Sequence, residues 1–291
     1  MGRLAFGLLL FLFMPLSMLA QEAPALPAPE AHARRASAPP AEEIIPRVRD
    51  NQKQLEERRK NYICNLEEET QKLDGHDAVK KTEIKGYEMF FVDGQPILRQ
   101  VSNASKPFDA NEQRKEQEKV DKQIKKAHER AGKRERNQDD PNALGIKQFL
   151  AASRFSNARY DSFKSQRVLA YDFEPNRDFE PHTRAESLAN KLSGTVWIDP
   201  DALAIVRLEA RVTENFNVAG GLLGSLKRGS AVVFEQEHVN GEVWLPSFAD
   251  FNVGARLWLV SSLHERVIDR FSNYRKFRVT SKISVTEPEA K

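Results

Sequence analysis

Over residues 204–213 (AIVRLEARVT), Ala204, Val206, Leu208, Ala210 and Val212 alternate with positions that carry Arg207, Glu209 and Arg211. A period of two puts the apolar set on one face of a β-strand and the charged set on the other. A strand with one covered and one wet face belongs to an antiparallel sheet, because parallel sheets are buried on both sides and read as continuous apolar runs. Whatever else this chain forms, it must provide something apolar to lie over that face.

The rest of the chain repeats the signal. Tyr62, Cys64 and Leu66 alternate with Ile63, Asn65 and Glu67, and Asp74-Gly75 ends that run in a turn. A strand at 83–92 passes through Asp93-Gly94 into another at 95–101. Further strands are predicted at 155–163, 167–173, 192–199, 204–213, 230–239, 242–246, 248–260, 267–271 and 277–285, with tight turns at Pro200-Asp201 and Asn240-Gly241. The stretch 248–260 is apolar on both faces, so the sheet is covered on both sides there.

Helical patterns are few. Pro46 opens a charged stretch to Lys60 that reads as a short exposed helix with Pro at its first position. Between 109 and 136, Val120, Ile124, Ala127 and Ala131 form a thin stripe at helical spacing among charges of both signs, the pattern of a solvated helix touching the body along one line. A short helix at 143–152 carries Leu144, Ile146, Phe149 and Leu150 and must bury most of itself. The predicted class is α+β: a single curved antiparallel sheet forming an open half-barrel, with helices inserted between the early and late strands covering its concave side.

The chain ends differ from this body. Residues 1–20 combine Arg3, an apolar run from Leu4 to Met14 and a small residue, Ala20, before Gln21, which reads as a secretory signal peptide. A transmembrane anchor needs about 20 uninterrupted apolar residues, and Pro15 breaks this shorter run. Residues 21–45 are Ala- and Pro-rich and are expected to form a disordered tether, leaving 46–286 as the folded domain with 109–136 as a charged helical insertion. The expected location is therefore the periplasm, as a soluble protein, or outside the cell, with no transmembrane segment in the mature chain.

Composition narrows the function. A net charge of +3, with charged residues at 30%, lacks the clustered basic surplus of a nucleic-acid binder. The single cysteine, Cys64, cannot form an internal disulfide and suits a small buried hydrophobe. The six histidines show no H-E-x-x-H pair, so no metal site is expected. Gly220-Gly221-x-x-Gly224 lacks the Lys-Ser/Thr of a phosphate loop, and no G-x-S-x-G is present, so the reading is non-enzymatic and without a cofactor. Leu222 and Leu223 at that glycine-rich hairpin tip are candidates for contact with a membrane or partner, or for folding back onto the sheet mouth.

Two phrases carry a resemblance. Gly194-Thr195-Val196-Trp197-Ile198-Asp199-Pro200, running into Ile205-Val206-Arg207-Leu208-Glu209, and then Val239-Asn240-Gly241-Glu242-Val243-Trp244-Leu245-Pro246 resemble two consecutive hairpins of the exported outer-membrane lipoprotein-sorting proteins, the LolA/LolB-like superfamily. The resemblance covers 154–285, and earlier residues only by order of elements. It implies an incomplete barrel whose apolar concave face, lidded by helices, accepts acyl chains of lipids or lipoproteins. It points to Leu144, Phe149 and Leu150 for the lid and to Trp197, Val206, Leu208, Phe234 and Phe251 for the wall. The function it implies is a periplasmic binding or carrier protein for an apolar ligand. The alternative is an envelope interaction or adaptor protein that uses the half-barrel as a scaffold for an envelope protein partner.

Overall fold

The computed structural model describes residues 37–134, 146–218, 224–257 and 261–276. The signal peptide, the tether up to residue 36, Leu144, the Leu222-Leu223 tip and the strand expected at 277–285 lie outside the described residues.

The elements run α1 (Ala41–Arg59), β1 (Tyr62–Leu73), β2 (Val79–Val92), β3 (Gln95–Asn103), β4 (Lys106–Pro107), α2 (Ala110–Arg134), α3 (Ile146–Ala152), β5 (Ser153–Phe163), β6 (Gln166–Pro175), α4 (Arg184–Ala189), β7 (Leu192–Asp199), β8 (Ala204–Val212), β9 (Phe216–Val218), β10 (Gly224–Leu226), β11 (Ala231–Val239), β12 (Val243–Leu257) and β13 (Ser261–Lys276). The strands form one antiparallel sheet in the order β4, β3, β2, β1, β13, β12, β11, β8, β7, β6, β5, with β10 joined to the far end of β12 and β9 to β10. The sheet does not close: β5 does not pair with β4 or β3. An open half-barrel of class α+β is therefore what the chain folds into.

Strand register sorts the side chains onto two faces. Leu208 pairs with Val196 and Phe234, Val232 with Ala210 and Phe251, and Phe251 with Val267. This inner face carries α1 and α3, whose Ile44, Val48, Phe149 and Leu150 share a buried cluster with Leu169, Tyr171, Phe173, Val196 and Ile198. The outer face is a lattice of ion pairs within and between strands. Arg207 contacts Glu209 and Glu235, Arg266 lies 2.6 Å from Asp250, and Arg159 lies 2.9 Å from Asp172.

Helix α1 departs from expectation. It starts at Ala41, so Pro46 lies inside it, and five residues assigned to the tether are helical. It is not an exposed helix either: Ala41, Ile44, Val48, Gln52 and Leu55 are buried. Pro46, the sixth residue of the helix, removes one i→i−4 bond, and burial of Ile44 and Val48 in the sheet cluster offsets that cost. Tyr171 donates to the Pro39 carbonyl (2.9 Å) and Asn51 to the Ala202 carbonyl (2.8 Å), fixing both ends of this first stretch on the sheet.

Helix α2 also lies elsewhere than expected. Its stripe, Val120, Ile124 and Ala127, packs on Phe90, Val92 and Ile97. Register places Phe90 opposite Ile97 and puts both on the outer face, because Met89 and Phe91 follow Cys64 and Leu66 onto the inner one. Only α3, of the two helices between early and late strands, covers the inner side. Helix α2 instead guards an edge. The Gln123 amide exchanges hydrogen bonds with the Leu98 backbone (3.0 and 3.4 Å), and Glu116 accepts from the Gln100 N–H (3.1 Å). Edge groups that would otherwise template another strand are thereby used up. A reciprocal cap, Asp109 with Glu112 (2.8 and 2.9 Å), starts the helix.

Gly194, in the first of the two resembling phrases, has a steric duty. A Cβ built there would lie 1.8 Å from the Glu209 carbonyl oxygen, so no other residue fits between β7 and β8 at this crossing.

Candidate functional site

The inner face leaves a crevice of about 150 Å³ between α3 and the sheet. Ile146 and Phe149 line it from the helix, and Leu192, Ile205, Leu208, Ala210, Val232 and Phe234 from β7, β8 and β11. Every one of these side chains is apolar, so the space offers a ligand no hydrogen bond from a side chain and favours methylene groups over any polar group.

Helix α3 is short and is held by aromatic edges. The Phe149 ring stands edge-on to Phe173 (centroids 4.9 Å apart, 87°) and to Phe155 (6.1 Å, 89°). Each such pair is worth about 0.5–1.5 kcal/mol beyond its buried area. The chain then turns directly into β5, and the Asn176 N–H donates to the Ala152 carbonyl (2.9 Å). Helix α4 packs beside it, started by a reciprocal cap between Thr183 and Glu186. That Thr-x-x-Glu signature stands in the sequence between the strands expected at 167–173 and 192–199, and it marks a helix start.

The residues singled out from the sequence do not all come together. Phe149, Leu208 and Phe234 meet in the crevice. Leu150 is buried in the cluster beneath α3, and Phe251 is on the same sheet face by register, 36% exposed and outside the crevice. Val206 sits at a β-bulge, where Trp197 pairs with Arg207 but Ile198 pairs with Ile205. It is buried in another cluster with Leu55 and Trp244, and the bulge brings Ile205 to the crevice. Trp197 points the other way: its Nε1 donates to Asp161 Oδ2 (2.8 Å), and Arg207 lies 5.5 Å from its ring centre on the charged outer face. Leu144, Leu222 and Leu223 lie outside the described residues.

Towards β1 and β13 the inner face becomes acidic. Glu68 and Asp269 are directly opposed, and Tyr87 OH lies 3.5 Å from Glu68. Burial, with Glu68 as the second cause, pushes the Asp269 carboxyl up to about 6, and its buried Oδ1 has no partner among the described residues. Cys64 is buried on this face, and burial pushes its thiol up to about 11, far from a reactive thiolate. Among the described residues no group of three or more His, Cys, Asp or Glu is arranged to hold a metal ion, and no helix is long and apolar enough to cross a membrane.

No protein-family model and no curated protein matches the chain. Among solved structures it is similar to an outer membrane lipoprotein-sorting protein domain from Vibrio parahaemolyticus, at 11% identity and a TM-score of 0.37, over 84% of this chain and 96% of that one. It is also similar to a LolA superfamily protein from Nitrosomonas europaea (10% identity, TM-score 0.33, 79% and 93% covered). A DUF1329 family protein from Desulfovibrio piger is a third (11%, 0.32, 80% and 93%).

Proposed function

We propose that the chain is an exported, periplasmic, non-catalytic carrier for an acyl-chain ligand, a lipid or the lipid moiety of a lipoprotein, held between α3 and the inner sheet face. The observation that carries this reading is the wholly apolar lining of the crevice, from Ile146 and Phe149 across to Leu208 and Phe234. At about 150 Å³ it is smaller than the roughly 300 Å³ at which small-molecule sites begin, so loading requires α3 to lift. Each methylene that replaces a Phe149 contact returns about 0.8 kcal/mol, and the seven residues of α3 form a unit small enough to be displaced. Phe251 extends the apolar track past the crevice, and Leu222 and Leu223 are proposed as the loop-tip contact with the membrane that supplies the ligand. The adaptor alternative takes either the 109–136 helix, α2, or the tether as its contact surface. That helix already serves the β3 edge through Gln123 and Glu116, which favours the carrier.

The test is uptake of a fluorescent fatty-acyl amide from neutral vesicles by the exported chain. Wild type should extract the probe, and Leu208→Asp, which places a charge in the crevice wall, should lower extraction by at least about tenfold, equivalent to 1.4 kcal/mol. Folding of the variant is checked by circular dichroism. Wild type that extracts no probe, or a folded Leu208→Asp protein that extracts as much as wild type, would sink the proposal.

A further inference from the structure

A second recess on the inner side shares no residue with the crevice under α3. It is a cleft of about 360 Å³ between the last turn of α1 and the β2–β3 hairpin, with Tyr62, Met89, Phe91, Leu245 and Phe271 among its walls. Three charged residues of α1 and its C-cap, Glu56, Arg59 and Lys60, stand at one side of this otherwise largely apolar lining, and of the two cations Arg59 is the one without a carboxylate partner among the described residues. Its Nη2 donates to Gln236 Oε1 (2.7 Å) and its Nε faces the Trp244 carbonyl (3.4 Å), both neutral acceptors. No described carboxylate lies within ion-pair distance of it, and Nη1 has no protein acceptor among the described residues. Of the nearby charges, Lys60 is paired with Glu57 (2.5 Å), and Glu56 lies at the cleft without reaching Arg59. Burial pulls the Arg59 guanidinium below its usual range, with Glu56 and Tyr274 acting in the opposite direction.

We infer that this cleft binds a single-chain amphiphile with an oxyanion head, the head on Arg59 and the chain over Met89, Phe91 and Phe271. A partly desolvated guanidinium with no carboxylate partner among the described residues is costly, and a carboxylate or phosphate supplies both the charge and a pair of oxygens matched to the guanidinium fork. The apolar walls exclude a bare anion as the preferred occupant, because phosphate alone leaves them wet. A volume near the lower end of small-molecule sites, roughly 300 Å³, suits one chain rather than two. The inference stands on this cleft alone and holds whether or not the crevice under α3 takes a ligand.

The experiment titrates the exported chain with laurate, lauryl phosphate, lauryl alcohol and inorganic phosphate by calorimetry. Charge-assisted hydrogen bonds of this kind predict that the two anionic amphiphiles bind about ten- to a hundredfold more tightly than the alcohol, with inorganic phosphate weakest. The ratio of laurate to lauryl phosphate assigns the head group. Arg59→Gln should bring laurate down to the alcohol, and Arg59→Lys should retain part of the preference. Equal affinity for laurate and the alcohol, or inorganic phosphate binding as tightly as laurate, overturns the proposal, as does a folded Arg59→Gln protein that still prefers the anion. Should Arg59→Gln fail to fold, photolabelling of wild type with a diazirine-bearing laurate decides. Labels on Met89, Phe91 or Phe271 support the cleft, and labels confined to Phe149, Leu208 or Phe234 refute it.

Discussion

Asp269 offers a quantitative handle on the inner face. Its carboxyl is pushed from 3.8 to about 6, first by burial and then by Glu68 across the strand pair, and its buried Oδ1 has no partner among the described residues. A shift of about two units corresponds to about 3 kcal/mol at 1.36 kcal/mol per unit. A carboxyl that keeps part of its surface in water realises only part of that, leaving about 1–2 kcal/mol. The sign follows from the direction of the shift. Because the folded state holds the proton more tightly than the unfolded one, the stability carried by the neutral acid is complete below pH 3.8 and is lost as pH rises through about 6. Asp269→Asn, neutral at every pH, should therefore raise the melting temperature at pH 7.5 by several degrees, at about 2–4 °C per kcal/mol for a domain of this size. At pH 3.5 the variant and wild type should melt together. Calorimetric scans at the two pH values provide the comparison. A variant less stable than wild type at pH 7.5, or a difference unchanged between the two pH values, would show that Asp269 is satisfied in the fold and refute the reasoning.

Three further outcomes are expected. Gly194→Ala forces a Cβ towards the Glu209 carbonyl and should lower stability by about 3 kcal/mol or more, enough to separate β7 from β8, readable by urea unfolding. Gln52 is buried in α1 with both amide atoms lacking partners among the described residues, so Gln52→Met should stabilise the chain by about 1–2 kcal/mol in the same assay. Gln123→Ala frees the Leu98 edge groups and should increase concentration-dependent aggregation, measured by light scattering, more than it lowers the melting temperature.

The antiparallel sheet was legible because its signals are local. Alternation at 62–66 and 204–212 and the Asp-Gly and Asn-Gly turns each depend on neighbours within a few residues, and each corresponds to a strand or turn in the fold. Readings that needed distant information fared differently. Alternation assigns Val206 to the same wall as Leu208, but the bulge beside Trp197 and Ile198 interrupts the period and brings Ile205 forward instead. Of the two-sided apolar run expected at 248–260, residues 248–257 belong to a longer strand, Val243–Leu257, because the register shift beside Pro246 bends the pairing with β11 without ending it, and 258–260 lie outside the described residues. Helix α2 shows a thin stripe whichever face it packs on, so the stripe could not say that its partners would be Phe90 and Ile97 on the outer face.

The same limit separates the two recesses. Phe149, Leu208 and Phe234 were within reach of sequence reasoning, since each is an apolar residue on an element with a recognisable buried side and a shared face brings them together. Arg59 was not. Along the chain it follows Glu56 and Glu57 on one helix, where charges three residues apart pair routinely, and nothing distinguishes it from the other cations of that turn. What distinguishes it is where its side chain goes: to Gln236 and Trp244, 177 and 185 residues away, leaving Lys60 to take the neighbouring glutamate. An arginine that passes over adjacent acids for two neutral acceptors beside an apolar cleft is visible only once β12 and α1 have met. A ligand oxyanion would supply the charge pairing that the last turn of α1 does not provide.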